Sequence, residues 1–439
     1  MLQRKIEKTL LEWKKDKNHK PLIIKGCRQC GKTASVLKFA NENYEHVVYL
    51  NFFENKEYSS IFQDSLEVDY LTMMISAILG KKAIFEENKT ILVLDEIQIC
   101  PEARTALKFF CLDKRYDVIC TGSLLGVSGY RNEPTSIPVG YETIIEMYPL
   151  DFEEFLWANE ISNSVIDSLQ KHLESEIPIS KAIHERLKQL QLQYVTVGGM
   201  PEVVQSFVND RQMNTVLNLQ RNIIHSYSDD MIKYADKKDK GCIKECFDSI
   251  PKQLAKENKK FQYSIVKKNG TASKYQGSLQ WIEDAGIISR CYNLSITELP
   301  LDGNSEKDTF KVYMNDIGLL VSMLEDGTQF DILKGNLLGY KGAIFENYLA
   351  DVFTKMGRKL YYFRKDSGLE IDFVTRYKGE VTLIEVKASN GNTKSTKTVL
   401  ANYDKYHVKS AIKLGDYNIG RNNNILTLPL YMAFLLREY

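Results

Sequence analysis

The sequence predicts an α/β chain built on a parallel sheet, and three stretches predict it. Pro21-Leu22-Ile23-Ile24 is a short apolar run leading into GCRQCGKT, Gly26 to Thr33, after which Lys32 to Ala40 has helical character. Thr90 to Ile97 (TILVLDEI) is an unbroken apolar run ending in two carboxylates, as expected for a strand buried on both faces of a parallel sheet. Glu370 to Val374, a Lys378-Gly379 turn and Val381 to Ala388 read as strands of a second sheet.

Composition bounds the rest. A chain of 439 residues is too long for one hydrophobic core and predicts several domains. With 44% hydrophobic and 26% charged residues it is globular in character, and a net charge of +1 leaves any polyanion binding to local patches. The 8 cysteines are scattered, and no second C-x-x-C or nearby His pair completes a zinc site. The charged N-terminal stretch MLQRKIEKTLLEWKK and the absence of a long apolar run predict a soluble, cytoplasmic chain with no membrane partner.

GCRQCGKT reads in two ways. Cys27 and Cys30 form a C-x-x-C pair, and the same residues match G-x-x-x-x-G-K-[ST]. Strand before and helix after favour the second, because loop N–H groups and a helix N-terminus together hold phosphate. Gly26, Cys27, Arg28, Gln29, Cys30 and Gly31 then form the cradle, Lys32 reaches the β and γ phosphates of ATP, and Thr33 offers its hydroxyl to Mg²⁺. Asp95 is expected to hold Mg²⁺ through water and Glu96 to polarise the attacking water; the competing reading is a turn cap. A third strand, Asp117 to Cys120, runs into Thr121-Gly122-Ser123, where Ser123 either senses the γ-phosphate or caps a helix.

In this order, KPLIIKGCRQCGKT, VVYLNFFE, LDEIQ, TGSLLGV, YPLDFEEFL and YVTVGGMPEVV give the chain its family character. It resembles bacterial and archaeal AAA-type ATPases that carry a C-terminal restriction-endonuclease-like domain. The resemblance spans essentially the whole chain and implies ATP binding more firmly than any pathway. Many members carry a basic residue after the glycine preceding the YPLDFEEF-like segment. Here Tyr141 follows Gly140, which argues against an arginine finger from this position; Arg131 and Arg104 are the nearest alternatives, against a reading of both as surface arginines.

Helices follow. Asp151 reads as the N-cap of Phe152 to Ala158, and Ile183, Leu187, Leu190, Tyr194 and Val197 recur at helical spacing. Val197 to Glu202 (VGGMPE) breaks the pattern, either as a nucleotide-reporting hinge or as an ordinary turn. Ile243, Phe247, Ile250 and Leu254 mark another helix; Ser273 is a candidate cap for a helix reaching Asp284, with Gly286 ending it before the strand Ile287 to Tyr292. Together these suit a winged helix. Lys274, Gln276 and Gln280 would be its base readers, but Glu283 and Asp284 favour a structural role.

The C-terminal hundred residues carry a second chemical pattern. A helix from Tyr340 to Met356, closed by Gly357, precedes three short strands, the core order of the restriction-endonuclease-like fold. Glu385 and Lys387 share one strand face, and a hairpin would bring Asp372 beside Glu385. With Glu346 on the helix, these match a nuclease pattern: Asp372, Glu385 and Glu346 as metal ligands and Lys387 as the catalytic cation, although Ile371 stands where nucleases often have Pro. Two carboxylates about 4 Å apart repel by about 4 kcal/mol at an effective dielectric near 20, so three acids with one lysine call for a cation.

The expected architecture is therefore a P-loop NTPase (AAA-like) parallel sheet over 1–160, a helical lid over 161–236, a winged-helix-like segment over 237–335 and a restriction-endonuclease-like α/β domain over 336–439. Two function classes fit. One is an ATPase coupled to a domain that cleaves or binds DNA or RNA; the other is a regulatory or protein-remodelling ATPase, with a protein partner or homo-oligomer, whose appended domains are interaction modules.

Overall fold

The computed structural model describes residues 2–123, 140–234, 240–256, 259–336, 340–387 and 393–437. Arg131, the part of TGSLLGV after Ser123, and Ala388 lie outside the described residues. The chain divides into two compact units, one of residues 2–149 with 284–286 and one of residues 150–283 with 287–439.

The first unit contains α1 (Ile6–Lys15), β1 (Leu22–Gly26), α2 (Lys32–Asn43), β2 (His46–Asn51), α3 (Val68–Leu79), β3 (Thr90–Asp95), α4 (Pro101–Asp113), β4 (Asp117–Ser123) and β5 (Thr143–Glu146). The strands form one parallel sheet in the order β2-β3-β4-β1-β5. Alternation along each strand feeds two cores. Ile23, Leu50, Leu92, Leu94 and Val118 pack with Leu71 and Ile75 of α3 and Leu107 and Phe110 of α4. Leu22, Ile24, Ile91, Val93 and Ile119 pack instead with Leu10 and Trp13 of α1 and Val36 and Phe39 of α2. Both faces are covered, so every residue of β3 is buried and TILVLD needs no polar alternation. β3 ends at Asp95, short of the expected Ile97, because Glu96 turns to φ 56°.

In the second unit, α5 (Phe152–Ala158) starts at a capping box: Asp151 Oδ1 accepts from Glu154 N at 2.9 Å, and Glu154 Oε2 accepts from Asp151 N at 3.0 Å. The cap is as expected, but α5 belongs to the second unit rather than to the first 160 residues. Helices α6 (Asn163–Ser175), α7 (Lys181–Val197), α8 (Pro201–Asp210) and α9 (Met213–Tyr234) follow. Gly198 and Gly199 join α7 to α8. Gly199 N donates to Asp316 Oδ2 at 2.7 Å, while Asp316 Oδ1 accepts from Leu319 N at 3.0 Å and caps a later helix. Val197 to Met200 are buried and Gly199 is fastened to Asp316, the bonding of an inter-helix turn.

Next come α10 (Lys240–Leu254), α11 (Ala272–Asp284), and the antiparallel strands β6 (Ile288–Leu294) and β7 (Ser305–Met314). Ser273 lies inside the first turn of α11 rather than at its cap. Lys274 and Gln276 are exposed, but Gln280 accepts from Arg290, which also pairs with Glu283. After α12 (Ile317–Ser322) and α13 (Lys341–Lys355) come β8 (Leu360–Arg364), β9 (Glu370–Ile371), β10 (Phe373–Tyr377), β11 (Glu380–Lys387), α14 (Lys394–Ala401), β12 (Ser410–Gly415), β13 (Gly420–Asn422) and β14 (Ile425–Pro429).

The boundary expected at 335/336 is bridged by backbone pairing. β6 runs parallel to β8, with Cys291 opposite Leu360, in a sheet ordered β7-β6-β8-β9. A second, mixed sheet follows the order β10-β11-β12-β14-β13. The strand expected over Glu370 to Val374 is broken at Asp372: Ile371 pairs with β8 and Phe373 with β11, so Asp372 stands at the corner between two sheets. Among the described residues, no helix is long and apolar enough to cross a membrane.

Candidate functional site

β1 delivers its chain directly into the loop Gly26 to Thr33. Gly26 is required by packing: a Cβ there would lie 2.3 Å from the Met147 carbonyl oxygen. Gln29 at φ 62° and Gly31 at φ 95° bend the loop back so that α2 starts at Lys32. Arg4 braces the loop from α1's approach, donating to Cys30 O at 2.9 Å and Tyr148 O at 2.7 Å. The buried Lys32 ammonium donates to Gly26 O at 3.1 Å and Cys27 O at 2.9 Å, so it lies folded along the loop. Arg28 and Gln29 form the loop's outer rim.

Asp95 closes the site from the end of β3. Thr33 Oγ1 lies 3.0 and 3.1 Å from its two carboxylate oxygens. Tyr49 OH donates at 2.8 Å, Asn51 Nδ2 at 3.1 Å, and Thr121 Oγ1 also bonds to it. The ends of three adjacent strands thus converge on one carboxylate, and burial pushes the Tyr49 phenol up so that it stays a donor. Glu96 follows in its left-handed turn and accepts from Gln98 Nε2. Ser123 lies opposite Gly26 in the β1–β4 register, at the mouth of the loop.

Of the residues nominated by motif spacing, the structure brings Thr33 and Asp95 into contact, with Lys32 next to Thr33 at the start of α2. That spacing missed Tyr49, Asn51, Thr121 and Arg4. Tyr49 and Asn51 are two apart on β2 and share a face, as do Thr121 and Ser123 on β4, so strand alternation offered a signal. Nothing local distinguished Arg4. Arg104, one candidate finger, is held in a two-pronged pair by Glu142, with Nε to Oε2 at 3.1 Å.

The C-terminal acids occupy a different setting. Glu346 on α13 accepts from Tyr313 OH at 3.0 Å and pairs with Lys259 and, at 3.6 Å, with Lys311. Burial alone would push Glu346 up, but Lys311 and Lys259 hold it below the usual carboxylate range. Lys311 also reaches Glu370 at 2.8 Å, and Glu370 meets Arg364 at 3.7 Å. Glu385 accepts from Thr396 Oγ1 at 2.6 Å and pairs with Lys387 at 2.7 Å. Asp372 accepts from Val386 N at 2.8 Å, and burial, then Glu346, pushes it up to about 7.

The charge premise for a metal here therefore needs correcting. Lys387 is not the sole cation: Lys259 and Lys311 pair with Glu346, Lys311 and Arg364 with Glu370, and Lys387 with Glu385, while Asp372 accepts from the Val386 backbone. Among the described residues, the acids and histidines whose ligand atoms gather within 4.8 Å of one another are Glu45, His46 and Glu86, not Glu346, Asp372 and Glu385. That surface group already pairs with Lys89, at 3.3 Å from Glu45 and 3.0 Å from Glu86.

Three family models match parts of the chain: an AAA domain over residues 18–156, a domain of unknown function (DUF8612) over 188–329, and a domain of unknown function (DUF4143) over 341–432. No curated protein matches the chain. A solved Walker-type ATPase of Pyrococcus abyssi is similar at 14% identity and TM-score 0.42, over 74% of this chain and 96% of that one. The ORC1 protein of Aeropyrum pernix, solved in complex with DNA, is similar at 12% identity and TM-score 0.27, over 75% and 90%. AMPPCP-bound DnaA from Aquifex aeolicus is similar at 11% identity and TM-score 0.30, over 64% and 87%. The parallel sheet, its phosphate-loop motif and the family match make the N-terminal region an AAA-type P-loop ATPase domain.

Proposed function

We propose that this protein binds and hydrolyses ATP at Gly26 to Thr33, and that its second unit engages a partner under control of that cycle without cleaving it. The observation that carries the first part is the Thr33 hydroxyl set 3.0 and 3.1 Å from the two oxygens of Asp95, beside a buried lysine. Hydroxyl and carboxylate oxygens on a rigid sheet end are the hard donors that Mg²⁺ selects. Thr33 and Asp95 would hold the ion, which when bound neutralises charge between the β and γ phosphates.

The chain's own groups do the rest. Lys32 exchanges its bonds to Gly26 O and Cys27 O for phosphate oxygens, and the N–H groups of the loop and of α2's first turn share the anion. Glu96 orients the attacking water, with Gln98 fixing its carboxylate. Ser123, beside Gly26, is placed to contact the γ-phosphate.

For the second unit, matched cations on Glu346, Glu370 and Glu385 favour binding over hydrolysis of phosphodiesters. Between residues 240 and 274 lysines outnumber acids three to one, which favours nucleic acid as the partner. The test is ATP turnover by the full chain with and without single- and double-stranded DNA in Mg²⁺ or Mn²⁺. Turnover that DNA stimulates, with the DNA left intact, is expected. DNA cutting that disappears in Asp372→Ala would overturn the non-cleaving reading, and turnover indifferent to DNA would favour a protein partner.

A further inference from the structure

The C-x-x-C pair inside the phosphate loop is not used by any step above. Cys27 and Cys30 are not joined by a disulfide, both are buried, and the Cys27 side chain lies within hydrogen-bonding reach of Cys30. Cys30 Sγ donates to the Met147 carbonyl oxygen at 3.4 Å, while Arg4 bonds the Cys30 carbonyl at 2.9 Å. Two cations thus bind the backbone of this pair, Arg4 at Cys30 O and Lys32 at Cys27 O, and the C-x-x-C spacing allows a disulfide.

We propose that Cys27 and Cys30 form a peroxide-sensitive dithiol whose closure to a disulfide weakens nucleotide binding at the same loop. The proposal rests on the ATP-binding reading of that loop. In the first step the Cys30 thiolate attacks a hydroperoxide oxygen, the O–O bond breaks, and the leaving hydroxide or alkoxide takes a proton. In the second, Cys27 attacks the sulfur of the resulting sulfenic acid, the S–O bond breaks, and water leaves. Two thiols are oxidised by two electrons, and the peroxide is reduced.

Contrast with the other cysteines supports selectivity. Cys27 first, then Lys32 and Arg4, bring Cys30 down to about 6 against its burial, whereas burial pushes Cys100 up to about 11 and Cys246 up to about 12. Thiolate fraction governs attack on peroxide.

Coupling to nucleotide follows from the loop's shape. A disulfide requires a sulfur separation of about 2.05 Å, well inside hydrogen-bond range. Closing it draws residues 27 and 30 together around Arg28 and the left-handed Gln29, and so reshapes the loop that the ATP-binding reading assigns to phosphate. By reciprocity, bound nucleotide must shift the dithiol–disulfide equilibrium toward the dithiol.

The test uses the full chain and titrates ADP calorimetrically into reduced and hydrogen peroxide-treated protein, with peptide mass spectrometry locating any linkage. A loss of two hydrogens across Cys27 and Cys30, with ADP affinity falling about tenfold and returning on reduction, is expected, within the usual range for coupled sites. In Cys27→Ser and in Cys30→Ser, the ratio of reduced to oxidised affinity should become one. Equal ADP affinity of the two wild-type forms, or a linkage forming first at Cys242 and Cys246, would overturn the proposal. Failure of reduced wild-type protein to bind ADP would instead overturn the nucleotide reading itself.

Discussion

Lys32 donates to two of the loop's own carbonyls, Gly26 O and Cys27 O, so removing it takes away an ammonium placed to exchange onto phosphate. Lys32→Ala is expected to abolish ATP turnover in a folded protein, a result checked by phosphate release alongside circular dichroism. Glu96→Gln should separate from it, keeping ATP affinity while turnover falls at least a hundredfold, because the carboxylate that orients water goes while Asp95 and Thr33 remain. Gly199→Ala tests a structural position: its Cβ would lie 2.0 Å from the Leu150 carbonyl oxygen, and backbone must move. A loss of roughly 2 to 4 kcal/mol in denaturant unfolding is expected. Lys32, Thr33 and Asp95 were legible as candidates because one short loop and one strand end hold them. Tyr49, Asn51 and Thr121 were not, because each acts by touching Asp95 across neighbouring strands, a relation that no local spacing encodes.

Among the elements, β7 carries the clearest reversal. Its Lys311 is buried and sits between Glu346 of α13 and Glu370 of β9, a pairing that joins segments far apart in sequence. Alternation within β11 did show that Glu385 and Lys387 share a face, and they do pair at 2.7 Å. What alternation cannot show is that cations arrive from earlier elements, and that is why a metal was expected where lysines stand. Lys311→Met should cost about 3 to 5 kcal/mol, since it leaves buried carboxylates without their partner. Adding Glu346→Gln to that variant should recover part of the loss, and a double-mutant cycle by urea unfolding checks it. Full stability in Lys311→Met would mean the acids are solvated after all.

For the whole molecule, the paired sheets and the buried acids make stability a function of pH. Burial pushes Asp351 up to about 7 from an ordinary 3.8, even with Lys355 at 2.8 Å. The folded chain then keeps a proton that the unfolded chain has released, so this residue's contribution to stability falls as pH rises from about 4 to about 7. Asp351→Asn should flatten the melting temperature across that window relative to wild type, as thermal unfolding at half-unit steps would show; parallel slopes would refute it. The β6–β8 pairing has a consequence during synthesis. On a ribosome adding roughly 5 to 20 residues each second, β8 emerges several seconds after β6, which meanwhile offers an open strand edge to whatever is near. The newborn chain thus has a built-in waiting period in which that edge stands open until β8 arrives.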